Sequence, residues 1–283
     1  MIYLIPLILF AIAAYGVYHW WRQSQVKYMP PMPAALRNGL EFLYYGPVDG
    51  AEDHVSAAFE FNWGGAADTA EKMKRHGLLT WLTLSGECFS SGDFRPLIDA
   101  ASRVQATFSI LQAAGVLHQV KVLYPLDEPD LHGVSDAEMT AMCATVLAEA
   151  AKFPELSGVE LATIYSMPDG NTTLPGIGSM NRVAYDNYGL GSNILVSKPF
   201  ETMVARLRPD QTYLLVPGGG DPWRQDPEAF RRWAHSHPQC SGIVAFMLAP
   251  RYDDPKNPTT LGIGTNGMAD KYRALGLEFT KRN

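Results

Sequence analysis

Cysteine is scarce in this chain, and basic runs are absent. The three cysteines, Cys88, Cys143 and Cys240, are odd in number, widely spaced and form no CxxC pair. That pattern excludes a zinc knuckle and a disulfide framework. No lysine- or arginine-rich stretch accompanies the formal charge of -6, which argues against a nucleic-acid partner. No GxGxxG opens the first strand–helix unit, as a dinucleotide site would require. Charged residues make up only 18% of the chain against 47% hydrophobic. This is the balance of a folding chain, not a disordered one.

Charge is also missing from the first 21 residues, MIYLIPLILFAIAAYGVYHWW. About 20 uninterrupted apolar residues suffice to cross a bilayer as a helix. Tyr18, Trp20 and Trp21 would then form an interfacial aromatic belt. No basic segment precedes the run, so residues 1–21 read as an uncleaved transmembrane anchor and not as a signal peptide. Residues 22–38 hold Pro30, Pro31 and Pro33 and read as a linker. Orientation stays open. Arg22 and Lys27 follow the run, which favours a cytoplasmic main domain. A polysaccharide substrate would favour a periplasmic or extracellular one.

From residue 39 onwards apolar strands alternate with helical stretches. Strands are expected at Leu40–Tyr45, Val55–Phe61, Leu78–Leu84, from Val120, at Gly158–Tyr165, Arg182–Tyr185, Tyr213–Val216 and Ile243–Leu248. Helices are expected at Asp68–His76, Arg95–Ala114, Ser135–Lys152, Lys198–Leu207, Pro227–His235 and Met268–Leu275. Ser135 and Glu138 make a capping box, and Gly77 and Gly115 close two of the helices. The strands are apolar without alternation, as a sheet buried on both faces demands. About eight such units in roughly 245 residues give an α/β fold, a (β/α)8 TIM barrel over residues 39–283. A doubly wound open sheet is the alternative.

A barrel builds its working face from the segments after each strand. Those segments carry Glu60, Asn62 and Trp63, then Ser85 and Glu87, then Asp127, Glu128 and Asp130. Tyr165 and Ser166 follow the fifth strand, and Asp186, Asn187 and Tyr188 the sixth. Asp221 and Trp223 lie beyond the seventh, and Arg251 beyond the eighth. Carboxylates and amides bond hydroxyl groups, and aromatic rings stack on sugar faces, so the collection suits a carbohydrate. Histidine is thin there, with only His132 near the set. The one HxH, His235-Ser236-His237, precedes a strand, so neither a metal nor a cofactor is expected.

Asp127-Glu128-Pro129 after the fourth strand resembles the Asn-Glu-Pro ending of the retaining glycoside hydrolase barrels of clan A. The resemblance implies that Glu128 is the acid/base, with Asp127 where the family has the asparagine that holds the sugar. The family's second glutamate, after strand seven, has no counterpart in Tyr213-Leu214-Leu215-Val216-Pro217-Gly218.

Glycoside hydrolysis needs two carboxyl groups about the scissile bond. Strand alternation sets Glu128 opposite in sense to Asp127, which makes Asp127 an orienting group or a structural hydrogen-bonder to a neighbouring loop. Asp186, between Tyr185 and Tyr188, is the candidate second carboxylate, with Glu60 and Glu87 behind it. Asn62, Trp63, Tyr165, Asn187, Tyr188, Asp221 and Arg251 are candidate substrate contacts. The reading is a membrane-anchored glycoside hydrolase-like protein acting on a poly- or oligosaccharide. Two alternatives stand beside it. One is a non-catalytic carbohydrate-binding or scaffold barrel. The other is a barrel holding a phosphorylated ligand on Gly218-Gly219-Gly220 and the glycines at 262–267.

Overall fold

The computed structural model describes residues 28–33, 35–46, 48, 50–167, 173–219, 225–246, 262–264 and 267–281. The expected anchor, 1–21, lies outside them, and no described helix is long and apolar enough to cross a membrane. Eight parallel strands form the sheet: β1 Glu41–Tyr45, β2 Ala58–Glu60, β3 Thr80–Thr83, β4 Val120–Tyr124, β5 Glu160–Tyr165, β6 Arg182–Asp186, β7 Thr212–Val216 and β8 Cys240–Phe246. Their order is β1-β8-β7-β6-β5-β4-β3-β2. Across the remaining β1/β2 seam, Ser56 N donates to Phe42 O at 2.8 Å, and Phe42 N donates to Ser56 Oγ at 3.0 Å. The sheet is thereby a near-closed barrel.

The main helices are α1 Ala66–His76, α2 Ala100–Ala113, α3 Asp136–Ala150, α4 Lys198–Arg206, α5 Glu228–Ser236 and α6 Ala269–Phe279. The Ser135–Glu138 capping box forms as its spacing predicts, fixing the start of α3. Helix α2 begins five residues later than expected. Phe89–Ile98 instead folds as a loop, with Ser90 N donating to Arg95 O and Leu97 N to Cys88 O.

Alternation along each strand divides the apolar side chains into two layers. Leu43, Phe59, Trp81, Val122, Tyr124, Ile164, Ala184, Leu214 and Val244 fill the barrel interior. Phe42, Tyr44, Leu82, Leu123, Tyr165, Val183, Tyr185 and Ile243 pack outward under the helices. This parity decides which strand-end residues reach the mouth. Closure also depends on one glycine. A Cβ on Gly242 in β8 would sit 2.0 Å from the Glu41 carbonyl oxygen of β1.

Tyr28, Met32 and Arg37 reach α5 and the residues just after it. Tyr28 meets Trp233 edge-on at 6.2 Å. The Arg37 guanidinium donates to the carbonyls of Ala234, His237, Pro238 and Cys240, capping the helix end where carbonyls lack partners. His235 accepts from Arg37 N and bonds Glu278 at 2.7 Å, so it is committed to the barrel wall.

Candidate active site

Strand β4 stops at Tyr124 because Pro125 has no N–H to continue the ladder. The chain then leaves the strand path, and the expected opposition of Asp127 and Glu128 does not hold. Asp127 turns inward, accepting from the hydroxyls of Tyr45 in β1 and Tyr124 in β4. The Tyr124 oxygen in turn accepts from Ile164 N of β5 at 3.1 Å. The two hydroxyls oppose the burial that holds the Asp127 carboxyl above the ordinary aspartate range. They fix the Asp127 side chain in place between β1 and β4.

Glu128 takes φ +44. A non-glycine residue in the left-handed region costs about 1–3 kcal/mol and persists only when its surroundings demand it. Pro129 disfavours the right-handed alternative for the residue before it. Leu131 N closes the turn onto Glu128 O at 2.9 Å. Burial first, then the charges of Asp127 and Asp130, push the Glu128 carboxyl up to about 7. Hydrogen bonds with Ser166 and Asp186 partly oppose the rise.

Asp186 ends β6 on the inward parity of Ala184 and is 5% exposed. Burial, then Glu128 and Asp127, hold its carboxyl well above the ordinary aspartate range. The side chains of Tyr188 and Ser166 bond it, while its Oδ1 is buried without a donor. Two ionised carboxylates cannot hydrogen-bond one another. Burial and the charge of each on the other favour a proton on one of these two carboxyls.

Aromatic rings line the other side of the mouth. Tyr45 lies 4.9 Å from Phe61 and 5.6 Å from Phe246, and Phe246 stacks on Tyr188 at 4.9 Å. An apolar arc from the ends of β1, β2, β8 and β6 thus faces carboxyls from the ends of β4 and β6. This geometry can stack a ring and protonate an oxygen beside it.

Other expected site residues go elsewhere. Glu60 points outward and pairs with His76 of α1 at 3.3 Å, because Phe59 takes the inward position. Glu87 is bonded by Asn62 and by Thr107 of α2 at 3.3 Å. Asn62 also accepts from Thr69 at 2.9 Å, so these two residues tie α1, α2 and the loop after β3 together. Tyr165 lies in the outer layer, its hydroxyl donating to Pro175 O at 2.7 Å. Asn187 follows β6 directly, between Asp186 and Tyr188. The Trp63 side chain, Asp221 and Arg251 lie outside the described residues.

The phosphate alternative meets an obstacle. Gly218 N donates to Gln225 Oε1 at 3.2 Å and Gly219 N to Phe246 O, so these amides are already engaged. Among the described residues no group of acids, histidines and cysteines could hold a metal ion. A cleft of about 930 Å³ lined by Asn38, Asp53, His118 and Lys281 opens at the opposite, amino end of the strands.

Tyr45 and Tyr124 were not expected from the sequence. Their signal is inward parity in the last turn of a strand, which needs the strand phase to be known. Ser166 and Asp130 lay in the right segments, but nothing local to them indicated a role.

No protein-family model and no curated protein matches the sequence. Solved structures do. A family 2 β-galacturonidase from Eisenbergiella tayi bound to galacturonate matches with TM-score 0.53 at 12% identity, over 85% of this chain and 52% of that one. An uncultured Clostridium β-glucuronidase gives 0.54 at 8%, over 84% and 50%. The chain thus spans about half the length of each of these two. A family 17 β-1,3-glucanosyltransferase from Rhizomucor miehei gives 0.51 at 11%, over 80% and 92%. The likeness establishes the (β/α)8 barrel fold.

Proposed function

We propose that this barrel hydrolyses an O-glycosidic bond of a poly- or oligosaccharide, with Glu128 as proton donor. One observation carries the reading. Glu128 stands at the end of β4 in a strained conformation, with its carboxyl pushed up to about 7. An acid of that strength still holds its proton near neutral pH and can pass it to a departing sugar oxygen. Asp186 retains that proton on Glu128 before transfer and shares the charge left behind. As the bond to the departing oxygen breaks, water bonds to the anomeric carbon and gives its proton to the ionised Glu128, which restores the acid. Asp127, held by two tyrosines, orients the sugar beside the acid.

Flanking carboxyls stand about 5–5.5 Å apart for retention and 6.5–9.5 Å for inversion. Glu128 and Asp186 act on one another's charge at the mouth. They therefore act as one proton-holding unit. The apolar run 1–21 is proposed as a membrane anchor, and release of a chain lacking it into the soluble fraction tests that part.

The second reading is a barrel that binds carbohydrate without cleaving it. Val216-Pro217-Gly218-Gly219 favours it, since β7 ends among the described residues with no acid. Screening surface polysaccharides for hydrolysis, with Glu128→Gln as control, separates the two. The first reading expects a loss of about 100- to 10,000-fold in kcat in the variant. Equal hydrolysis by both proteins removes Glu128 from the chemistry, and binding without hydrolysis by either establishes the second reading.

A further inference from the structure

Exposed apolar side chains are unevenly spread over the barrel. Met29, Met32 and Leu36 are 48%, 43% and 49% exposed, all within one short segment. Val196, at the end of the Tyr188–Val196 segment after β6, is 46% exposed. Single exposed apolar residues are ordinary, whereas a group gathered in one place marks a surface that meets an apolar partner.

The segment that carries the three is fixed at both ends. Tyr28 N donates to Asn193 Oδ1 at 2.9 Å, and Asn193 lies after β6, on the mouth side. Arg37 holds the carbonyls at and beyond the end of α5, at the floor. Between these ends Arg231 Nη1 of α5 approaches Met32 Sδ at 3.8 Å. Pro30, Pro31 and Pro33 favour an extended path and offer no N–H to a sheet edge. The exposed methionines and leucine therefore follow a line from mouth to floor.

Charge singles out the same stretch. The formal charge of the chain is -6, yet no acid precedes Glu41, while Arg22, Lys27 and Arg37 do. Apolar side chains among cations, with no acid between them, suit a lipid surface. Its phosphates draw cations, and its acyl boundary takes methionine and leucine. The reach fits as well. If residues 1–21 span a bilayer, only the six residues 22–27 separate that span from Tyr28. Fully extended, such a length covers about 22 Å at most.

We propose that the face made by Met29, Met32 and Leu36 rests on a bilayer surface, with the barrel axis along the membrane plane. The mouth then opens along the membrane and not away from it. The proposal rests on the anchor reading of residues 1–21 and is independent of hydrolysis.

The native cysteines are buried, so a thiol-reactive fluorophore labels an introduced exposed cysteine alone. The test uses Met29→Cys, Met32→Cys, Leu36→Cys and Ile110→Cys in the full chain. Each is reconstituted into phosphatidylcholine–phosphatidylglycerol vesicles that carry a headgroup-nitroxide lipid. Ile110 is also exposed. It lies in α2 between β3 and β4, on the far side of the barrel from α5, which lies between β7 and β8.

Labels at positions 29, 32 and 36 are expected to lose about half or more of their emission, since interfacial residues lie within about 10 Å of the headgroups. The label at position 110 should lose little. Flotation with the vesicles is read on the same samples and tests the anchor separately. Chains that float with all four labels unquenched, or with all four quenched equally, overturn the proposal and leave the anchor standing. Quenching at position 29 without position 36 overturns the side-on placement. Quenching of the three labels by a spin-labelled second copy, and not by lipid, assigns the face to self-association and overturns the proposal too. Chains that do not float remove the anchor reading, and the proposal falls with it.

Discussion

The two ends of the barrel interior carry buried charge in opposite ways. At the amino end, acid is matched with base. Glu41 of β1 takes Lys121 and Arg182, the latter at 2.8 Å, and Arg182 also bonds Glu160 of β5. The Arg182 guanidinium lies 6.0 Å from the Trp81 ring, a weak cation–π contact at the floor of the core. At the carboxyl end, Asp127, Glu128 and Asp186 meet tyrosine hydroxyls, a serine and one another, and no described lysine or arginine forms a salt bridge with them.

The difference has a physical consequence. A buried acid beside a guanidinium stays ionised and acts as structure. A buried acid beside another acid must take up a proton. The barrel therefore closes its floor with ion pairs and holds protons at its mouth, where a (β/α)8 fold places chemistry.

The largest expected effect comes from breaking the floor. Arg182→Met strands Glu160 and half-strands Glu41, and removing one partner of a buried pair costs roughly 3–5 kcal/mol. Chemical denaturation should show that loss while the Glu128 titration stays in place. A shift of Glu128 would mean that the two ends are not independent.

The mouth predicts a pH dependence of the opposite sense to the usual paired carboxylate. Glu128 is raised from 4.5 to about 7 on folding, so the unfolded chain releases its proton first. Stability is full below pH 4.5, falls as pH rises to about 7, and is flat above. The fall amounts to on the order of 2–3 kcal/mol. Glu128→Gln should remove the Glu128 share of the fall and leave the slope contributed by Asp186, Asp127 and Asp130, whose carboxyls are also raised on folding. Unfolding curves at pH 5 and pH 8 read this directly. A variant that loses as much stability as wild type between those values would contradict a raised Glu128.

The smallest effect concerns the orienting shell. Tyr124→Phe removes a donor to Asp127 and the acceptor for Ile164 N. An expected loss of roughly 1–3 kcal/mol follows from leaving those groups buried and unpaired. A change below a few tenths in thermal unfolding would show that water replaces the hydroxyl.

The barrel was legible because a parallel sheet covered on both faces writes itself as eight apolar runs, and the capping box and helix-closing glycines fixed the helix ends. The same uniformity hid the parity. In Ala58-Phe59-Glu60 nothing in the sequence says which side chain enters the barrel, so Glu60 was counted at the mouth although it faces His76. Asp186 ends β6, as its place after an apolar run predicts, and its inward direction follows from the opposite faces taken by Ala184 and Tyr185. Alternation failed for Asp127 and Glu128 because Pro125 ends the strand before them. Tyr45 and Tyr124 were read as strand residues, since a tyrosine's hydroxyl partner is a tertiary fact.

The most direct measurement is the carboxyl titration of Glu128 in the folded wild-type chain, followed by carbon-13 NMR. The account predicts a midpoint near 7, with the Asp186 resonance moving over the same range because each acts on the other's charge. A midpoint at the ordinary glutamate value of 4.5, with Asp186 titrating independently, would contradict it.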